Sequence, residues 1–107
     1  MHRLLAGLAL TGFVLTAAAA EPSAPRQAEL LYLLQQDCGS CHGLSLKGGL
    51  GPPLLPAALA PRSDEVLAQT ILHGRPGTPM PPWASEITPP EAAWLVRRLR
   101  DGVSHAP

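Results

Sequence analysis

Aromatic residues are scarce in this chain of 107 residues, which has two Trp, one Tyr and one Phe. Phe13 lies in the apolar N-terminal run, so only Tyr32, Trp83 and Trp94 remain for a folded domain. A chain this short buries little surface. A core of Leu and Ala interrupted by 13 prolines would be thin, and small domains of this kind are commonly stapled by a disulfide, a metal or a cofactor. Lysine is nearly absent too, with Lys47 the only one. Eight basic residues balance eight acidic ones, which excludes the basic surface needed to neutralise nucleic-acid phosphates. No segment alternates convincingly in the two-residue period of a strand, and no internal repeat is visible. These absences leave one small all-α domain as the expectation.

The N-terminus has its own pattern. Met1-His2-Arg3 is a short basic start, Leu4 to Leu15 is almost purely apolar, and Ala18-Ala19-Ala20 precedes Glu21. This is the layout of a secretory signal peptide over residues 1–20, with cleavage after Ala20. The alternative is an uncleaved anchor, but the uncharged stretch from Leu4 to Ala20 is at the short end for a membrane span. No cysteine near the cleavage site offers a lipid anchor. The domain itself is expected to cover residues 21–107. Loss of Arg3 leaves seven basic residues against eight acidic ones, a formal charge of −1.

Three helices are predicted. The first has no Gly or Pro from Gln27 to Asp37, carries Leu30, Leu31 and Leu34 at helical spacing and runs into Cys38, with Ser23 available as its cap. The second opens on Ser63, with Asp64 and Glu65 in its first turn and Val66, Leu67, Thr70 and Ile71 as its apolar face, and ends at Gly74. The third follows the capping box Thr88-Pro89-Pro90-Glu91 and extends from about Pro90 to Arg100. It buries Trp94, Leu95 and Leu99, and Gly102 closes it. Leu54 to Leu59 reads as a short helical turn. Arg75 to Trp83 holds four prolines and is a loop, and Val103 to Pro107 is a frayed tail.

The chemistry centres on Cys38-Gly39-Ser40-Cys41-His42. C-x-x-C-H is the attachment signature of c-type haem. Two thiols three residues apart at a helix end face the same way and reach the two vinyl groups on one edge of the porphyrin. The next residue, His42, is then held beneath the iron as proximal ligand. A thioredoxin-like dithiol is the first alternative, but that motif normally sits where a strand meets a helix. A plain disulfide leaves the adjacent His42 unexplained. Zinc has only two Cys and few His to use. One covalent haem c is therefore the expected cofactor.

For the other face of the iron, Met80 is the candidate. It is the only methionine after the leader, in Gly77-Thr78-Pro79-Met80-Pro81-Pro82-Trp83. Prolines restrict that loop, and a thioether ligand favours ferrous iron and raises the reduction potential. His73 and His105 are the rival ligands. A ligating histidine usually donates its second ring N–H to an acceptor, and the Gly51-Pro52 step offers a carbonyl ten residues beyond His42. Arg75 is a candidate partner for a haem propionate, with a solvated loop arginine as the alternative.

Taken together, the C-x-x-C-H after a helix, the nearby Gly-Pro, the middle helix, the Gly-Thr-Pro-Met-Pro loop and a C-terminal helix with a Trp resemble the class I cytochrome c fold. The resemblance covers essentially residues 21–107. It implies three main helices plus a short helical turn around one haem, with the first and last helices crossing near Leu31, Leu34 and Trp94. It also implies the Pro52 carbonyl as acceptor for His42, and Met80 as distal ligand. The stretches Asp37 to Leu44, Lys47 to Pro52 and His73 to Trp83 resemble the cytochrome c-55X (NirC-like) proteins of denitrifying bacteria. That implies a periplasmic protein that donates electrons to the haem-containing nitrite reductase or helps mature its special haem.

With His42 and Met80 both ligating, no position is open for substrate, so an electron carrier rather than an enzyme is expected. The scarcity of lysine predicts a small, mostly apolar docking patch and weak, transient binding to redox partners, by a protein expected to be a monomer. A haem-based gas or redox sensor is the remaining class, and it requires a weak or absent bond to Met80.

Overall fold

The computed structural model describes Leu4, residues 7–14 and residues 21–103. The cleavage site after Ala20 and the tail histidine His105 lie outside the described residues. Within the apolar N-terminal run, Leu8, Leu10, Phe13 and Val14 are exposed and contribute nothing to the core. Among the described residues no helix is long and apolar enough to cross a membrane.

Helix α1 spans Ala24–Leu33, and the Ser23 hydroxyl caps it by accepting from the Arg26 N–H at 3.3 Å. The expected uninterrupted helix into Cys38 is only partly correct. The backbone widens into a π-helical turn over Leu34–Cys38, in which the Gly39 N–H donates to the Leu34 carbonyl. It then resumes as α2, Gly39–His42. A π turn inserts one residue into the helical register, and such turns are frequent at functional sites. After the loop that follows His42 come a single turn α3, Pro56–Leu59, then α4, Asp64–His73, and α5, Pro89–Asp101. The described residues hold no strand. The fold is the all-α one expected, with three main helical segments and a short turn.

Each cap is the one its sequence specifies. Ser63 accepts from the Val66 N–H at 3.2 Å. Thr88 and Glu91 form a reciprocal capping box, each side chain satisfying the other's backbone N–H, an arrangement worth about 1 kcal/mol. Gly102 ends α5 in the left-handed conformation.

The core is wholly apolar among the described residues: Leu30, Leu34, Leu46, Leu59, Leu72, Ile87, Ala92, Trp94, Leu95, Val96 and Leu99 are buried, with no buried polar side chain. Each fully buried leucine contributes roughly 1.5–3 kcal/mol. Leu30 and Leu34 on the first helix and Trp94 on α5 share this cluster, with the half-buried Leu31 packed against it. The expected face of α4 holds at Leu67 and Ile71, which pack on the cluster, and is corrected at Val66 and Thr70. Leu72 is buried and Ala68 packs on the cluster, whereas Val66 is 51% exposed. Val66 and Thr70 instead line an open groove of about 380 Å³ with Glu65, Gln69, His73 and Gly74. The reason is that α4 packs chiefly against α5, which turns the line through Ala68 and Leu72 inward.

Two arginines tie α5 to the rest of the fold. Near its N-terminus, Arg26 of α1 donates to Glu91 at 2.5 Å, to Glu29 at 2.9 Å and to the Glu86 carbonyl at 2.8 Å. Near its C-terminus, Arg100 pairs with Asp64 and donates to the carbonyls of Arg62 and Leu59. Arg26 holds the Glu91 carboxyl down at about 2, with smaller help from the Thr88 backbone and hydroxyl.

Candidate haem-binding site

Cys38 ends the π turn and Cys41 lies in α2, so the sequence spacing is realised on one continuous helical segment. Both cysteines are free thiols, Cys38 half-buried and Cys41 exposed. Burial, reinforced by the neighbouring Asp37 carboxylate, pushes the Cys38 thiol up to about 11. Dithiol oxidoreductases need a thiol lowered towards neutrality, so this environment argues against the thioredoxin-like alternative. The dithiol also follows a helix instead of a strand.

The imidazole of His42 is already oriented. Its Nδ1 lies 2.7 Å from the Pro52 carbonyl oxygen. With Nδ1 as donor, Nε2 is left as the free lone pair, the arrangement by which an outer acceptor fixes tautomer and ring direction. The loop that brings Pro52 there is pinned to α2: Gly48 N–H donates to the His42 carbonyl and Gly51 N–H to the Cys41 carbonyl, both at 2.8 Å. Gly51 passes so close that a Cβ on it would lie 2.9 Å from Nδ1 and Cε1 of the ring. Leu46 anchors the same loop. It is buried, it adopts φ 59°, unusual for a residue with a branched side chain, and its carbonyl accepts from Leu54 N–H at 2.9 Å. Nothing in the sequence marks Leu46 for this role, because leucine carries no left-handed signal.

Met80 is half-buried in the loop between α4 and α5. The loop is closed at its neck. Arg75 N–H donates to the Met80 carbonyl at 3.3 Å, and Trp83 N–H is shared between the carbonyls of Ile71 and Leu72 at 3.1 Å. Gly74 makes the neck possible: it adopts φ +67°, and a Cβ there would lie 2.6 Å from the Met80 carbonyl oxygen. Thr78, not singled out from sequence, hydrogen-bonds both Arg75 and Met80. A threonine two residues before the methionine, next to a proline, is a recognisable local turn signal. Arg75 is exposed, and its backbone, not its guanidinium, takes part in the loop bonds. His73 is exposed at the end of α4, on the open groove.

These residues fit a covalently held haem. Two thiols at thioether spacing would anchor the porphyrin edge, the oriented imidazole with one nitrogen free would ligate its iron, and the Met80 thioether is available as a second axial donor. Among the described residues no cluster of three or more His, Cys, Asp or Glu offers a different metal site.

Comparison with known proteins points to the c-type cytochromes. Residues 25–97 match the family described as cytochrome c oxidase, cbb3-type, subunit III. The chain is 59% identical over 81 residues to cytochrome c55X of Pseudomonas aeruginosa, covering 76% of this chain and 68% of that one. It is 53% identical over 98 residues to cytochrome c55X of Stutzerimonas stutzeri, covering 90% and 87%. The solved structure of the c-type cytochrome NirC superposes with a TM-score of 0.74 at 59% identity, over 76% of this chain and 95% of that one. A further relative, dihydro-heme d1 dehydrogenase of Pseudomonas aeruginosa, is 41% identical over 95 residues, which span 89% of this chain and only 18% of that enzyme. The chain belongs to the cytochrome c55X family of c-type cytochromes.

Proposed function

We propose that this member of the cytochrome c55X family is a periplasmic, monohaem electron carrier of denitrification, with Cys38 and Cys41 as the thioether positions and His42 and Met80 as axial ligands. The observation that carries the reading is the orientation of His42 by the Pro52 carbonyl at 2.7 Å. It holds the ring in a ligating direction through the chain's own contacts. When bound, haem supplies the one-electron couple. The polypeptide supplies everything else. Cys38 and Cys41 fix the cofactor edge to one helix, and the Pro52 carbonyl keeps the proton on Nδ1. The Met80 loop would close the remaining face against substrate, and Arg75, exposed in that loop, is the candidate partner for a propionate.

The partner is a redox protein, with the haem-containing nitrite reductase as acceptor. Leu44 and Leu50 are exposed in the loop after the motif, and Lys47 is the only lysine. Docking is therefore apolar and transient, and raising ionic strength should leave the electron-transfer rate nearly unchanged. Rapid mixing of the reduced protein with oxidised nitrite reductase tests this. Fast, salt-insensitive oxidation is expected, and no transfer at micromolar concentrations would contradict it.

One observation favours a second reading, an accessory role in maturing the special haem of the reductase. The chain resembles a part of a dihydro-heme d1 dehydrogenase at 41% identity, so a free carrier of the same kind suits electron removal during cofactor assembly. A deletion strain separates the two. Reductase polypeptide lacking its special haem supports maturation, whereas normal cofactor with slowed nitrite reduction supports the donor role.

A further inference from the structure

We infer that Thr78 is a positioning residue for Met80: its hydroxyl supplies the brace that keeps the methionine in its ligating place. This rests on the proposed ligation by Met80 and goes beyond it by naming what retains the ligand.

The argument begins with backbone accounting. Every backbone N–H and C=O needs a partner. Pro79, Pro81 and Pro82 have no N–H, so Met80 holds the only backbone donor between residues 79 and 82. That donor reaches the Thr78 hydroxyl oxygen at 3.3 Å. The same hydroxyl donates its proton to the Arg75 carbonyl at 2.6 Å, beside a 3.0 Å bond to that carbonyl from Thr78 N–H. The Met80 carbonyl accepts from Arg75 N–H. Both backbone poles of Met80 are thus tied within the loop, one through Thr78 and one through Arg75. Residues 75–79 are exposed, so no core packing substitutes for these bonds. The prolines narrow the loop's freedom, but φ restraint alone does not choose the position of Met80. The hydroxyl makes that choice.

The test is made on the holoprotein in the ferric state. Imidazole competes with Met80 for the iron, so its apparent affinity reports how often the methionine has left. Thr78→Val removes the hydroxyl and keeps the side-chain shape. Loss of one to two hydrogen bonds should raise the apparent imidazole affinity about five- to thirtyfold. The far-red sulfur-to-iron charge-transfer band should weaken in parallel, and Thr78→Ser should restore both. The residue is exposed, so folding is not at risk, and Thr78→Ala provides a second variant of the same loss. Wild-type imidazole affinity in Thr78→Val and Thr78→Ala overturns the inference while leaving Met80 as ligand. A wild-type protein without the far-red band, whose imidazole affinity Met80→Ala does not change, overturns the ligation reading and this inference with it.

Discussion

The loop that carries Pro52 and the loop that carries Met80 are held in different ways. The first is bonded in its middle to the motif helix, through Gly48 and Gly51, and is anchored in the core by Leu46. The second is bonded to α4 only at its two ends, by Gly74 to Thr70 and by Trp83 to Ile71 and Leu72. Between them it is bonded only to itself. The contrast implies that the Pro52 loop forms as part of folding, while the Met80 loop is the softer of the two, held in place by a few local bonds. Segments that depend on few buried contacts and on exposed hydrogen bonds open most readily.

Variants in the two loops should behave differently. The largest effect is expected from Leu46→Ala, which empties a buried site and should cost about 2–5 kcal/mol of global stability. Denaturant unfolding of the holoprotein measures it. A loss below about 1 kcal/mol would mean that the proximal loop is not part of the cooperative core. Next comes Gly74→Ala, which forces a left-handed backbone and sets a Cβ against the Met80 carbonyl. About 2–4 kcal/mol of local strain should follow. Because the strain falls on the softer loop, it should appear as loss of the far-red band and as carbon monoxide binding to the reduced form, with helical circular dichroism preserved. Global unfolding instead would erase the distinction between the loops.

Two smaller effects lie away from the site and calibrate the comparison. Thr88→Ala removes the α5 cap and should lower stability by about 1 kcal/mol without altering the spectrum of either axial ligand. Glu91→Gln keeps the capping box but loses the charge that pairs with Arg26, so its cost is greatest at neutral pH and shrinks as pH falls. Arg26 holds the Glu91 carboxyl at about 2, below its ordinary 4.5, so the folded chain binds fewer protons than the unfolded chain between those values. The contribution is present above 4.5 and is lost as pH falls towards 2. Thermal midpoints across that window should fall more steeply in the wild type than in Glu91→Gln, and parallel slopes would contradict the pairing.

Much of this was legible in the sequence, because the signals were local. Ser63, the Thr88–Glu91 box, Gly74 and Gly102 mark helix ends through side-chain and backbone chemistry that acts within a few residues. The C-x-x-C-H motif carries its geometry in its spacing. What escaped was set by tertiary contacts. The π turn at Leu34–Cys38 leaves the leucine stripe intact, so periodicity does not reveal the added residue. Val66 reads as apolar, but packing of α4 on α5 leaves it on the groove. The left-handed Leu46 is forced by the loop that seats Pro52, and neither it nor the Thr78 brace is visible until the two ends of each loop are brought together.

The most direct test of a closed His–Met carrier is the optical spectrum of the purified holoprotein, compared between wild type and Met80→Ala. The expected result is a weak far-red charge-transfer band in the ferric wild type that disappears in the variant, with carbon monoxide bound only by the reduced variant. A wild type that lacks the band and takes up carbon monoxide at neutral pH would contradict the closed carrier and point to an iron open for sensing.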